Sequence, residues 1–162
     1  MVKEGIPEYD YTVEEYKEIL LMYQQEYAHA YGVTMIFDAL STENGKKAYR
    51  ELAREGKLQL RVRDNYYADP TKPLSHFDDM IANKGINDVE DLYQQTTVKF
   101  FMESGAPDAY MTEPYKPLAL VVMKRPIGHK GFTYWTTDEL QEIMPKLVNV
   151  GFQMHTHAMG DG

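Results

Sequence analysis

The chain has 162 residues and a formal net charge of −8, because 25 acidic residues outnumber 17 basic ones. This balance argues against nucleic acid or an anionic membrane as the main partner, since both are bound through basic residues. The chain has no cysteine, which excludes disulfides and thiolate metal sites and fits a reducing, cytoplasmic location.

The hydrophobic share of 43% and charged share of 26% are those of an ordinary globular protein. No apolar run approaches the roughly 18 residues of a membrane-spanning helix, and the N-terminal residues lack the apolar segment of a signal peptide. We therefore expect a single domain over residues 1–162, with a small molecule as ligand and with no nucleic-acid or membrane partner.

The first half of the chain alternates between helix and strand signals. A capping box over Thr12–Glu15 predicts a helix start, and Gly32 predicts its end. A buried strand over 33–37, a second helix over 41–56 and an alternating strand over 58–63 follow. The first helix would present one apolar face, formed by Tyr16, Ile19, Leu20, Tyr23 and Tyr27.

The second half continues the alternation. The pattern predicts a helix over 74–82 and a strand over 96–102. After a mixed region, in which 118–123 is either a strand or part of an insertion, a second capping box at Thr136 predicts a helix that ends at Gly151. A last strand over 152–158 follows.

Strands separated by helices indicate parallel βαβ units. A complete (β/α)8 barrel needs about 250 residues, and this chain offers about four βα units. We expect an α/β fold that is a partial (β/α)8 TIM barrel, with parallel strands and flanking helices, as a fragment of a larger enzyme barrel. On pattern alone, a small doubly wound sheet is an equal alternative.

Two strands carry side chains with metal chemistry. His155 and His157 are two residues apart, so in a strand both imidazoles share a face and can reach one ion; two hydrogen-bonded histidines at a strand end are the alternative. Lys99 lies inside an apolar strand, where an ammonium group is costly unless it is paired, neutral or modified. A neutral lysine can take up carbon dioxide as a carbamate, which is a metal ligand; a lysine that reaches solvent is the alternative.

Two carboxylates follow the ends of predicted strands. Glu103 comes after the strand of Lys99, and Asp161 comes after the strand of His157. In parallel α/β folds, functional sites collect at the carboxyl ends of the strands. Solvated loop carboxylates are the alternative for each of them taken singly.

Three landmarks then occur in order: Val98–Phe101, Glu113–Tyr115 and Gly151–Asp161. Together they resemble the amidohydrolase superfamily, in particular amidohydrolase family 3, which includes N-substituted formamide deformylases. The resemblance extends over about 11–162. One departure concerns substrate contacts: Glu103-Ser104 stands where the family usually has Asp-Gly.

The resemblance implies a metal-dependent hydrolase that cleaves a carbon–nitrogen bond of an amide, formamide or cyclic amide with metal-activated water. It implies a divalent metal, zinc first, bound by carboxylated Lys99 and by His157. His155 and Asp161 would support these ligands or replace one of them, and Glu103 would face the substrate. An alternative alignment makes His155 and His157 the first-strand ligand pair of the same superfamily.

The family's other ligands and its catalytic aspartate would lie outside this chain. We therefore expect no catalytic residue within the chain alone, and an isolated chain that is inactive. The second hypothesis is a non-catalytic, self-associating α/β module, since open sheet edges and apolar faces are usually covered by a partner. Ten methionines and thirteen tyrosines would supply such a surface, and a homo-oligomer is expected on either hypothesis.

Overall fold

A computed structural model describes residues 9–105 and 108–162 of the chain. In chain order, the main elements are α1 (Val13–Tyr23), β1 (Met35–Asp38), α2 (Glu43–Arg54), β2 (Arg61–Tyr67), α3 (His76–Ala82), β3 (Tyr93–Phe101), α4 (Pro117–Met123), α5 (Thr137–Asn149) and β4 (Gln153–His157). The strand order is β1-β2-β3-β4, and the pairs β1–β2 and β3–β4 are both parallel. The predicted α/β class with parallel strands is confirmed.

The described residues divide into two compact units. The first comprises the residues up to Asn65 together with Gly85–Gln95, and the second comprises Tyr66–Lys84 together with the residues from Thr96 onward. Strands β2 and β3 each contribute residues to both units. Among the described residues, no helix is long and apolar enough to cross a membrane.

The first unit has its core between α2 and the strands. Leu52 and Val62 are completely buried there, and Tyr49 stacks on Tyr93 with 6.0 Å between ring centroids. Burial of large apolar side chains of this kind supplies most of the free energy that holds a helix to a sheet. The buried side chains of this cluster are Tyr49, Leu52, Ala53, Leu58, Val62 and Tyr93.

Helix α1 begins as predicted, but its buried face differs. The capping box is present, with the Thr12 side chain and the Glu15 side chain each accepting a backbone N–H. A turn of π-helix over Gln24–Ala28 follows α1 and inserts an extra residue into the helical repeat. The helix faces rotate there, so Gln24 and Ala28 are buried and Tyr27 is 56% exposed. The predicted apolar face is wrong for Tyr27, which the turn moves to the surface. It is also wrong for Ile19 and Tyr23, which lie before the turn and are each 38% exposed.

A buried carboxylate lies in the same unit. Asp64 is fully buried and accepts hydrogen bonds from Tyr93 Oη at 2.7 Å, Ser41 Oγ at 2.9 Å and its neighbour's backbone N–H at 2.6 Å. Burial raises the pKa of Asp64 above its ordinary value, although these donors oppose the shift. The three donors satisfy a charge that would otherwise be very costly to bury.

The second unit packs β3 and β4 against α3 and α5. Val98 and Phe100 are fully buried on the side of β3 that faces the helices, together with Ile143 and Leu147 of α5. Trp135, the single tryptophan of the chain, joins this cluster. Its ring centroid lies 5.5 Å from that of Phe100 in an edge-on arrangement, and its Nε1–H donates to the Phe101 carbonyl oxygen at 3.0 Å.

Residues between β3 and α5 contain the short helix α4, so the strand interpretation of 118–123 is wrong. A strand needs a neighbouring strand for its backbone hydrogen bonds, whereas a helix forms these bonds within itself. Pro117 suits the first helical position, where the backbone N–H has no partner within the helix. Asp108 holds this region together: it accepts from Arg125 Nε and His129 Nε2, both at 2.7 Å. The pKa of Asp108 is lowered, chiefly by the Arg125 hydrogen bond.

Strand boundaries also differ from the predicted ones. Strand β2 begins at Arg61 instead of residue 58, because Arg61 is the residue that pairs with Met35 of β1. Strand β3 begins at Tyr93 instead of residue 96. Its hydrogen bonding to β2 starts at this end, because the Val62 N–H of β2 donates to the Leu92 carbonyl at 2.7 Å. Pairing with a neighbour, rather than local pattern, fixes both starts.

Candidate functional site

Strands β3 and β4 bring the candidate metal ligands to one face of the sheet. Lys99 is the register partner of His155, and Phe101 is the partner of His157. Side chains alternate along a strand, so these four lie on the face opposite the buried Val98 and Phe100. The sequence prediction that His155 and His157 share a face is therefore confirmed, and Lys99 joins them.

Lys99 is only 6% exposed, yet within the described part of the chain it forms no ion pair with a carboxylate. Its Nζ lies 4.9 Å from the centroid of the Phe101 ring, at the distance of a cation–π contact. The His157 ring centroid lies 5.3 Å from that of the same phenylalanine. Phe101 thus forms an apolar floor between the lysine and the second histidine.

The imidazoles at this face are half-buried. Burial lowers the pKa of His155, and the charge of Lys99 lowers it further. Both influences favour the neutral imidazole, which is the form that binds metal ions.

Glu103, the candidate residue on the substrate side, lies just beyond β3 and is 4% exposed. Its carboxylate accepts the backbone N–H groups of Tyr110, Met159 and Gly160. Burial alone would raise the pKa of Glu103, but the three donors outweigh it and hold that pKa below its ordinary value. The carboxylate is therefore ionised and accepts three backbone hydrogen bonds.

Asp161 is likewise engaged. Its two carboxylate oxygens accept the backbone N–H of Thr112 at 3.0 Å and the Thr112 hydroxyl at 2.9 Å. These two hydrogen bonds from Thr112 lower the pKa of Asp161. Both predicted carboxylates thus bind the segment after β3, whereas the side chains of Lys99 and the two histidines form no hydrogen bond within residues 9–105 and 108–162.

Among residues 9–105 and 108–162, no three His, Cys, Asp or Glu side chains lie close enough together to bind a metal ion. The donor set at the β3–β4 face is one lysine and two histidines. An unmodified ammonium group is not a ligand, whereas a carbamate on the same nitrogen would be. The two histidines alone do not complete a catalytic zinc site, which generally has three protein ligands, and a third ligand from this face would require the Lys99 carbamate.

A cavity of about 540 Å³ lies beside the carboxyl ends of these strands, on the helix side of the sheet. Glu103, Tyr110 and Trp135 are among the residues that line it. The sequence did not predict the residues that donate hydrogen bonds to the two carboxylates, namely Tyr110, Thr112 and Met159. Most of these contacts use backbone atoms, and backbone carries no residue-type signal.

Solved structures with a similar fold exist. One is an uncharacterized metal-dependent hydrolase from Pyrococcus horikoshii OT3, which is 24% identical over 93% of this chain with a TM-score of 0.66. Another is an uncharacterized metal-dependent hydrolase from Pyrococcus furiosus, which is 25% identical over 95% of this chain with a TM-score of 0.67. The likeness shows a common fold over nearly the whole chain.

The match spans only 29% and 30% of those two chains, respectively. No protein-family model matches the sequence, and no curated protein matches it.

Proposed function

We propose that the chain is a central part of a metal-dependent hydrolase of the amidohydrolase superfamily, built on a (β/α)8 barrel. The observation that supports it most is the buried Lys99, which pairs with no carboxylate of the described residues and lies beside two histidines on one face of parallel strands. Similarity in fold to two solved metal-dependent hydrolases supports the same class. The proposed substrate is an amide, formamide or cyclic amide, cleaved at its carbon–nitrogen bond.

In this proposal His157 is a metal ligand, and Lys99 is a ligand as its carbamate. The Lys99 ammonium group first loses a proton to solvent, and the uncharged amine then adds to carbon dioxide, forming an N–C bond and losing a second proton. Overall a cation becomes an anion. A divalent ion at this face would act as a Lewis acid for water and for the scissile carbonyl. Phe101 keeps one side of the face apolar, and His155 lies beside Lys99 as a second nitrogen donor.

Metal binding is the direct test. Chain stripped of metal is titrated with Zn²⁺ by calorimetry, with and without bicarbonate, and its zinc content is measured by elemental analysis. We expect weak binding that bicarbonate strengthens and that both His157→Ala and Lys99→Met abolish. His29→Ala is the matched control, because His29 is an exposed histidine of the other unit.

A carbamate also has a direct signature. With ¹³C-labelled bicarbonate, the zinc-loaded chain should show a carbamate carbon resonance that disappears in Lys99→Met. Zinc binding that is the same in wild type and in His157→Ala would refute the proposed site. If zinc binding depends on both His157 and Lys99, a full-length enzyme that contains this chain is screened for amide hydrolysis.

Self-association is a second candidate function, and a surface observation favours it. Leu118, Val121 and Val122 of α4 are each at least 75% exposed, and Ile127 just after the helix is 94% exposed. Apolar side chains clustered in this way commonly mark an interface. Light scattering should show a dimer or larger species that Val122→Lys converts to monomer; an unchanged monomer in both proteins would exclude this candidate.

A further inference from the structure

Glu103 is a buried carboxylate that joins the end of β3 to the residues after β4. Its Oε1 accepts the N–H groups of Met159 and Gly160, and its Oε2 accepts the N–H group of Tyr110. A carboxylate offers only acceptors, and charge-assisted bonds to backbone N–H groups are stronger than neutral ones. One side chain therefore fixes two segments that are far apart in sequence.

The backbone after β4 packs closely against the backbone at Tyr110, next to this carboxylate. A Cβ on Gly160 would overlap the Tyr110 carbonyl oxygen and would lie 2.8 Å from Glu103 Oε2. The Gly162 N–H donates to the same Tyr110 carbonyl at 3.1 Å. The chain after β4 consequently lies directly against the backbone at Tyr110, and only glycine permits this approach at position 160.

A second carboxylate repeats the connection next to the first. Asp161 accepts both the backbone N–H and the hydroxyl of Thr112. Glu103 and Asp161 thus both connect residues 110–112 to residues 159–161. The contacts form one small hydrogen-bonded assembly at the carboxyl ends of β3 and β4.

This assembly begins two residues after a candidate metal ligand. The His157 carbonyl already accepts the Met102 N–H at 3.0 Å, as the last ladder bond between the strands. Met159 N–H, bound by Glu103, is the next fixed point along the chain. The backbone that carries the His157 imidazole is therefore held on its carboxyl side by Glu103.

We propose that Glu103 is a positioning residue, which holds the backbone after His157 and the segment at Tyr110 in place and thereby orients the imidazole toward the metal. Both of its oxygens accept backbone N–H groups, which supports a role in holding the backbone in place. The orientation of His157 toward a metal rests on the proposed function, whereas the fastening of the two segments does not.

Amide hydrogen exchange tests the fastening without any metal. In the wild-type chain we expect protection of the amides of Tyr110, Met159 and Gly160, although the last two lie near the solvent. Glu103→Gln replaces one acceptor by an amide that donates, so these amides should exchange at least about 10-fold faster. Glu142→Gln is the control, with the same loss of charge at an exposed position of α5.

Unprotected amides at these positions in wild type would overturn the proposal before any variant is made. Equal exchange in wild type and Glu103→Gln would overturn it as well. If Glu103→Gln does not fold, the wild-type protection pattern still decides, together with Thr112→Val, which removes only the hydroxyl bond to Asp161 and should loosen Thr112 without unfolding the unit.

Zinc affinity then separates positioning from mere stabilisation. Glu103→Gln should bind Zn²⁺ about 10- to 100-fold more weakly than wild type, as found for residues that orient metal ligands. Ile143→Val should lower thermal stability, because Ile143 is buried in the same unit, but should leave zinc affinity unchanged. Equal affinity in Glu103→Gln and wild type, with binding lost in His157→Ala, would refute the positioning role.

The two proposals fail in different ways. Zinc binding that is unchanged in His157→Ala refutes the proposed metal site. In that case only the exchange rates test the role of Glu103. Faster exchange in Glu103→Gln would still support the fastening of the two segments in that case.

Discussion

Removal of one hydroxyl group should destabilise the first unit in a pH-dependent way. Tyr93 is fully buried, and its hydroxyl donates to Asp64 Oδ2 at 2.7 Å. Tyr93→Phe keeps the ring and its stacking on Tyr49 but leaves a buried carboxylate oxygen without its donor. A buried hydrogen bond to a charged group is worth about 2 kcal/mol, and we expect a loss of unfolding free energy of that size at neutral pH.

The sign of the pH dependence follows from the raised pKa of Asp64. In the unfolded chain Asp64 loses its proton at a lower pH than in the fold, so the stability contributed by this group falls as pH rises through that interval. Tyr93→Phe raises the folded pKa further, because it removes a donor to the ionised form. The cost of the variant should therefore be smallest below the folded pKa of Asp64 in the wild type and complete above the folded pKa of Asp64 in the variant.

Urea unfolding followed by far-ultraviolet circular dichroism measures the effect. With a slope of about 2 kcal/mol per M, the midpoint should fall by about 1 M at neutral pH and by clearly less in acid. Tyr31→Phe is the control, because Tyr31 is 82% exposed and its loss of a hydroxyl removes a group at the surface. A shift of the Tyr93→Phe midpoint that is small, or the same at both pH values, would refute the reasoning.

Two further predictions concern backbone geometry in the second unit. Gly131→Ala should lower the unfolding free energy by well over the roughly 1 kcal/mol of a left-handed alanine, because the new Cβ would overlap the Ala109 carbonyl. Gly128→Ala should lower it by only about 1 kcal/mol, because the surroundings of Gly128 are open. Equal melting temperatures of the two variants would contradict this prediction. Thr136→Ala should lower the unfolding free energy by about 1 kcal/mol through loss of the α5 cap, and Thr137→Ala, one residue further on, should have a much smaller effect in the same thermal melt.

Helix starts were predictable because their signals are local. Thr12 and Thr136 each bind a backbone N–H three residues ahead, and Glu15 and Glu139 return the bond, so four residues contain the whole motif. Strand starts were not predictable to the residue, because pairing with a neighbouring strand decides them. The π-turn after α1 had no recognised signal, and it moved the buried face from Tyr27 to Ala28.

Part of the candidate site was predictable for a similar reason. The two-residue repeat of a strand places His155 and His157 on one face, and the apolar neighbours of Lys99 indicate its burial. The pairing of Lys99 with His155 depends on the alignment of β3 with β4, and this alignment cannot be predicted from the residues of either strand alone. The engagement of Glu103 depends on contacts with Met159, 56 residues away, and was therefore not foreseen.

The position of Trp135 gives the second unit a built-in optical reporter. Its indole is buried against Phe100 and donates to the Phe101 carbonyl, while the side chain of Phe101 points to the face of Lys99 and His157. The single tryptophan, which can be excited separately from the tyrosines, thus lies one strand thickness away from the candidate metal face. Its emission reports on this unit alone and without labelling, so ligand titrations and unfolding of the candidate site can be followed with the unmodified protein at low concentration.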